Sequence, residues 1–337
     1  SDKSKYERVM ARLMFDLFTG ERSKTQGFYL LAQNKPSNAL AKMLTQRIGD
    51  PAQLDIYGSG SIVEKDFKLF IKGYSELVSG GVKQSAAMLL DSLMITATEN
   101  GLQDTLICLP LKKYMEMRGL SDEKATRAQV KGDINALERI HFEYKGTGKQ
   151  RGAWLKVSIS GGTVGQIKNG DILFRFNQDF FNSFKTGSGN KFLYMYFPRE
   201  ALQGNTRANP WKYWLGRKIS EHKRINIGKA NADIISVKTL IDACPNYPTY
   251  DAVMNSDRHI DTRIIQPFER DLDALSPSIK WNYQGLTESP TDYQTFIDAN
   301  IVIQWAYYPD TSKLAAGKKK RARKQQADKA KKTQTEW

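Results

Sequence analysis

Asn209–Asn226 reads NPWKYWLGRKISEHKRIN, Asp233–Leu275 reads DIISVKTLIDACPNYPTYDAVMNSDRHIDTRIIQPFERDLDAL, and Ser278–Tyr308 reads SIKWNYQGLTESPTDYQTFIDANIVIQWAYY. Within it Ile264, Phe268, Leu272 and Leu275 recur at helical spacing and form one apolar stripe, flanked by Ile265. Arg258, Thr262, Arg263 and Arg270 lie off that stripe. Pro267 interrupts it, because proline lacks a backbone N–H and its ring clashes with the preceding turn, so a kink or a restarted helix is expected there. Upstream, Ser236 is placed to cap a short helix Val237–Ala243, which Pro245 and Pro248 end. Beyond Pro277, Ile279, Trp281 and Tyr283 alternate, and so do residues 300–307, around a polar loop at 285–296. That is the outline of a β-hairpin. The order is helix, short helix, turn, longer basic helix and two strands. It is the order of a winged helix, a helix-turn-helix whose second helix can enter a DNA major groove.

The 337 residues leave room for two domains with cores of their own. Charge is lopsided, with 51 Lys and Arg against 36 Asp and Glu, a net of +15. Lys313–Trp337 contributes 10 basic and 2 acidic residues, which leaves 41 against 34 in the rest of the chain. The body is therefore basic without its tail, as suits a polyanion partner whose phosphates release counterions when neutralised. A surplus of lysine that only confers solubility is the plainer alternative. Cys108 and Cys244 lie far apart with no metal-ligand spacing, and read as reduced core residues. No apolar run approaches the roughly 20 residues of a membrane span. The start, SDKSKYERVMARLMFDLF, has no signal-peptide cleavage pattern. A cytoplasmic protein with no membrane partner is expected.

Residues 1–65 read as an N-terminal extension packed on the first domain, with short helices over Tyr6–Phe18 and Ala39–Ile48 and a strand and turn over Leu54–Ser61. A first domain spans 66–185. It opens with a strand and short helix in KDFKLFIKGYSELVSG (65–80), and then has a strong helix in GVKQSAAMLLDSLMITATENG (81–101) with Ala86, Leu89, Leu90, Leu93 and Met94 inside. A strand at Thr105–Leu109 follows, and Pro110 opens the helix LKKYMEMRG. Ser121 with Asp122 and Glu123 behind it marks another helix start, with Val130, Ile134, Leu137 and His141 as its apolar stripe. Strand-like runs at Trp154–Ser158 and Ile172–Phe176 would form the first wing. VKGDINALERIHFEY (130–144) and IIQPFERDLDALSPSIKWNY (264–283) share a rhythm, which suggests two winged helices in tandem. A flexible linker is expected at 185–190, KTGSGN. The second domain covers 191–308, and 309–337 is a basic tail too poor in apolar residues to bury a core, hence disordered. The fold class is thus α+β, two tandem winged-helix domains with an N-terminal extension and a disordered basic tail.

Arg258, His259, Thr262 and Arg263 are the expected groove-facing set, since arginine pairs with guanine at two points and threonine can touch a thymine methyl. In the first domain Lys124, Arg127 and Lys131 gather on one helix face with Asn135. Lys212, Arg217, Lys218, Lys223 and Arg224 make the helix before the second motif basic, and suit phosphate better than bases. Lys149 and Arg151 fall on the first wing, within reach of the backbone or minor groove. Ordinary solvation, or pairing of Arg263 with Asp261 or Glu269, is the alternative for these charges. Trp211, Tyr213 and Trp214 read as core rather than as a base-stacking platform.

Enzymatic chemistry is not expected. A nickase needs paired histidines beside a tyrosine, and His141, His222 and His259 are far apart. Neither HKR at His222 nor HIDTR at His259 has the His-x-x-Arg spacing of a tyrosine recombinase. No GxxxxGK[ST] loop is present, and no metal or cofactor set can be recognised.

The segments AAMLLDSLMI (86–95), PLKKYMEMRG (110–119), NPWKYWLGRKISEH (209–222), SVKTLIDACP (236–245) and IIQPFERDLDAL (264–275) resemble the Rep_3-type plasmid replication initiators, in particular those of Gram-positive plasmids and integrative elements. Pro267 inside the long helix fits that likeness, which covers roughly 66–308. The resemblance implies binding of double-stranded DNA repeats at a replication origin, duplex opening, recruitment of host helicase and primase, and a homodimer through the first domain away from the origin. A winged-helix transcriptional repressor of a mobile element, or a protein–protein adaptor, has the same layout.

Overall fold

The computed structural model describes residues 27–33, 37–38, 60–64, 67–71, 84–145, 154–162, 166–168, 170–182, 184–186, 191–192, 194–204, 206–256 and 259–308. The helices expected over Tyr6–Phe18 and Ala39–Ile48 and the tail from 309 lie outside them, as do Lys149, Arg151 and Arg258.

The first half is assembled from β1 (Phe28–Ala32), β2 (Gly60–Glu64), β3 (Phe67–Ile71), α1 (Gln84–Glu99), β4 (Leu106–Pro110), α2 (Leu111–Arg118), α3 (Glu123–Glu138), β5 (Ile140–Lys145), β6 (Trp154–Ser158), β7 (Gln166–Lys168) and β8 (Asp171–Arg175). Helix α1 is the centre. Every residue from Ser85 to Thr98 is buried, as its all-round apolar composition requires. Its hydroxyls stay satisfied by bonding back one turn, Ser92 Oγ to Met88 O at 2.8 Å and Thr96 Oγ1 to Ser92 O at 2.9 Å. Helix α3 packs on it through Val130, Ile134 and Leu137. The side chain that caps α3 is Asp122, which accepts the Ala125 N–H at 2.9 Å. His141 falls past the helix end, in β5, with Nδ1 2.7 Å from Ser158 Oγ.

One residue of α3 fits badly with its place. Gly132 is mid-helix and exposed, and a Cβ there meets nothing within 4 Å. Gly132→Ala is expected to raise the free energy of unfolding by about 0.5–1 kcal/mol, because it removes backbone freedom from the unfolded chain without a clash. A urea midpoint that stays or falls contradicts this.

Cys108 was expected in the core and is exposed. Burial alternates along β4, with Ile107 and Leu109 inward, so the residue between them faces out. The expected first wing is also divided. Trp154–Ser158 pairs with β5 in a sheet of order β2–β3–β5–β6, whereas Ile172 belongs to β8, which lies between β4 and β7.

The second half continues with α4 (Gln178–Asn182), β9 (Lys185–Thr186), β10 (Lys191–Phe192), β11 (Tyr194–Pro198), α5 (Arg199–Leu202), α6 (Lys212–Asn226), β12 (Ile234–Ser236), α7 (Val237–Ile241) and α8 (Tyr250–Ser256). A π-helical turn at Asp261–Ile265 then leads into α9 (Gln266–Asp273), β13 (Ile279–Tyr283), α10 (Tyr293–Asp298) and β14 (Asn300–Trp305). Ser236 caps α7 as expected, accepting the Thr239 N–H at 3.2 Å. The hairpin strands β13 and β14 pair antiparallel from Ile279↔Trp305 to Tyr283↔Ile301, and β12 adds a third strand in the order β12–β14–β13. The first-half sheet β4–β8–β7 has the same order, with the last strand in the middle. The stretch read as a linker begins in a small hairpin, Lys185–Thr186 paired with Lys191–Phe192.

The halves are tied together near the start of the chain. Strand β1, read as part of an extension on the first domain, is hydrogen-bonded along its length to β11, from Phe28↔Pro198 to Ala32↔Tyr194, and packs on α1. Ser278 Oγ donates to Gly27 O at 2.7 Å, and the Phe28 and Trp305 rings lie 5.8 Å apart. Helix α6 also approaches its neighbours closely. A Cβ on Gly216 would fall 2.8 Å from Ala201 Cβ and 3.2 Å from Leu275 Cδ2, so glycine is what lets α6 sit against α5 and the end of α9. The buried apolar residues from Phe28 to Ile303 form one connected core of a mixed α/β fold. Among the described residues no helix is long and apolar enough to cross a membrane.

Candidate nucleic-acid interface

The segment before the hairpin is built around Pro267. An unbroken α-helix would aim the proline ring at the Arg263 carbonyl, with no N–H to pair it. The chain widens its preceding turn instead, and the Gln266 N–H reaches back five residues to Asp261 O. The restart expected at Pro267 is therefore a regular helix that follows a π turn. Tyr247 steadies the junction by donating its hydroxyl to Ile264 O at 2.5 Å. Tyr247 is buried and lies against Trp211 with ring centroids 4.4 Å apart, and burial keeps its hydroxyl far above the usual tyrosine range and so protonated.

This arrangement sorts the side chains. Ile264, Ile265, Phe268, Leu272 and Leu275 are all buried, and Phe268 meets Phe296 edge-on at 5.3 Å. On the opposite side His259, Thr262, Arg263, Gln266 and Arg270 are exposed at spacings of three and four. The segment's carboxylates are held by protein donors. Asp261 accepts from Gln266 Nε2 (2.7 Å), Glu269 from Tyr283 Oη (2.9 Å) and Asp273 from Trp281 Nε1 (2.9 Å). Asp271, wholly buried, accepts the Trp211 backbone N–H at 2.7 Å, Asn209 Nδ2 at 3.1 Å and Arg270 Nε at 3.0 Å.

The basic helix α6 departs from expectation. Lys212 and Arg217 were assigned to phosphate and are buried. Lys212 Nζ donates to Gln203 O at 2.5 Å, and burial lowers its pKa against the opposing pull of Asp271 and Glu200. Arg217 forms an ion pair with Asp91 of α1, which also accepts the Tyr213 hydroxyl at 2.7 Å. Lys218 pairs with Glu221 at 3.2 Å, and Lys223 with Asp233 at 2.5 Å. Lys223 also sits 4.8 Å from the Tyr308 ring centroid. Arg224 lies close enough to lower the Tyr308 hydroxyl pKa, although burial outweighs it and pushes that group up to about 12. The reason is packing: the first half of α6 is enclosed by its neighbours among β11, α5, α7 and α9, so Lys212 and Arg217 there serve an internal carbonyl and an internal carboxylate. Tyr213 and Trp214 are core residues, and Trp211 is half-buried with Nε1 on Pro245 O at 3.0 Å.

In the first half Lys124 and Lys131 are exposed on α3, and Arg127 is half-exposed and bonded to Glu123 one turn before it, at 2.5 Å. The structure thus brings His259, Thr262 and Arg263 together on one face and leaves Lys124, Arg127 and Lys131 on another helix. Gln266 and the buried Asp271 were not singled out from sequence. The pairing of Gln266 with Asp261, five residues apart, depends on the π turn and has no α-helical spacing to announce it.

No protein-family model matches the chain, and no curated protein matches it in sequence. The solved structures similar to it include RctB and the Pi initiator. One is a crystal structure of domains 2 and 3 of RctB, at 13% identity, 80% of this chain, 98% of that one and a TM-score of 0.43. The other is the Pi initiator protein in complex with iteron DNA, at 11% identity, 68% of this chain, 92% of that one and a TM-score of 0.40. Among the described residues no group of three or more His, Cys, Asp or Glu side chains is placed to hold a metal ion.

Proposed function

We propose that this chain binds double-stranded DNA in a sequence-specific way through tandem winged helices, and acts as a replication initiator on the repeats of a plasmid or mobile-element origin. The observation that carries the reading is the polar stripe of His259, Thr262, Arg263 and Gln266, opposite the buried stripe of the same segment and next in the chain to the β13–β14 hairpin. A helix of about 10–12 Å diameter with one such face fits a major groove about 12 Å wide. The common strand order of the β4–β8–β7 and β12–β14–β13 sheets supports two related units, with α3 in the first half where the π turn and α9 stand in the second. On this reading Lys124, Arg127 and Lys131 meet a second stretch of DNA backbone. Recruitment of host helicase and primase, and a homodimer away from the origin, belong to the same proposal, which assigns the chain no catalytic step.

The test is retention of duplex fragments from the source replicon over a salt series, with wild type and Arg263→Ala in parallel. Fragments carrying direct repeats should be held at physiological salt, and Arg263→Ala should weaken them by about 1–3 kcal/mol and blunt their selectivity. Retention that is equal for all fragments and vanishes with salt reflects charge alone and defeats the proposal. Preference for an inverted repeat, bound as a dimer, makes the chain a repressor instead.

A further inference from the structure

We propose that Gln266 reads an adenine in the major groove, held in position for it by Asp261 across the π turn. This rests on the preceding reading, that the stripe faces base pairs, and adds the residue and the base.

Gln266 is exposed and central in the stripe, one helical turn from Thr262 and Arg263 and one from Arg270. In an α-helix residues five apart point to different sides and cannot pair. Here the π turn stacks 266 over 261, so that both its backbone N–H and its side-chain amide return to Asp261, the latter at 2.7 Å. One N–H of the Gln266 amide is thereby engaged. The second N–H and the carbonyl oxygen remain, one donor and one acceptor in the plane of the same amide. Adenine presents the complementary pair at its major-groove edge, an acceptor at N7 and a donor at N6, and glutamine is suited to bind both at once. A free glutamine must order several rotatable bonds on binding, and Asp261 has already fixed this one. The chain of cause runs from Pro267, which forces the wide turn, to Asp261 and Gln266, which the turn brings into register. Gln266 is the base-reading residue and Asp261 is a positioning residue.

The experiment is selection of binding sites from a randomised duplex library by the full chain, for wild type, Gln266→Ala, Asp261→Ala and Asp261→Asn. Both positions are exposed, and thermal midpoints check that the variants fold. Wild type should prefer adenine at one position of its site, and Gln266→Ala should lose that preference by roughly 5- to 150-fold while keeping the others. Placing 7-deazaadenine at that position removes the N7 acceptor. It should weaken wild type by a similar factor and leave Gln266→Ala unaffected. Asp261→Ala should lose part of the preference, and Asp261→Asn, which retains an acceptor, should recover it. Unchanged selectivity in Gln266→Ala overturns the assignment, as does an equal loss at every sequence. An inert Asp261→Ala overturns its positioning role. If wild type itself selects no sequence, the reading of the whole face fails and this inference goes with it.

Discussion

Arg217→Ala should lower the free energy of unfolding by about 3–5 kcal/mol, the usual consequence of removing one partner of a buried ion pair. Arg217 and Asp91 are 6% and 4% exposed, so neither charge can turn to water when the other is lost. Asp91 would keep the Tyr213 hydroxyl, which burial and then Asp91 itself hold well above the usual tyrosine range and so protonated. One neutral donor is poor compensation for a lost guanidinium. Arg217 Nη2 also reaches Ser37 O at 3.4 Å, so the same change loosens the short segment at 37–38. The pair joins α1 of the first half to α6 of the second, and the halves should weaken against each other. Urea unfolding measures this, and a loss below about 1 kcal/mol rejects the account. Combining Arg217→Met and Asp91→Leu with Tyr213→Phe, which removes the hydroxyl that Asp91 accepts, should recover most of the loss, since an apolar cluster of similar size avoids the desolvation that the ion pair must overcome.

Asp271→Ala should cost roughly 2–3 kcal/mol, because it empties a fully buried position and takes the acceptor from two half-buried donors, the Trp211 N–H and the Asn209 amide. The Trp211 N–H stands at the start of α6, where the backbone donors of a helix have no partner in the helix itself. Asp271, on α9, supplies both the acceptor and a negative charge at that end. Its loss should detach the position of α9 from that of α6. Thermal melts followed by circular dichroism read the stability, and fragment retention below the melting range should fall as well. Retained stability would mean that water replaces the carboxylate. Asp271→Asn should fall between, as one of its two acceptor atoms becomes a donor facing donors.

Local pattern made part of this molecule legible. The stripe from Ile264 to Leu275, the Ser236 cap and the alternation along β13 and β14 each depend on neighbours within a turn or a strand, and each is found where the residues place it. Pro267 announced a break, though not that a π turn would absorb it. Helix α10 lay hidden in a loop read as polar, although Asp292, accepting the Thr295 N–H at 2.8 Å, is an ordinary cap signal. The burial of Lys212 and Arg217 in α6 was hidden for a different reason. The partner of Arg217 is 126 residues away, and a count of charges cannot distinguish a phosphate-facing arginine from one that meets a distant carboxylate. Strand β1 escaped likewise, since FYLLA finds its register only against a strand that begins at Tyr194.

The π turn has a further consequence for how the two faces of this segment can vary. Each residue of an α-helix advances the chain by about 100° around the axis, so a turn with one residue more shifts everything before it relative to everything after. The packing stripe begins inside that turn, at Ile264 and Ile265, and continues after it through Phe268 and Leu272, whereas His259 lies before it. The two ends of the segment are thus geared separately. A deletion within 261–263 would turn His259, and with it the half-buried Ile260, by about 100° relative to Phe268 and Leu272. On the proposed function, the DNA site that the segment addresses would then change in one step, and the repacking would fall on Ile260 and its neighbours upstream.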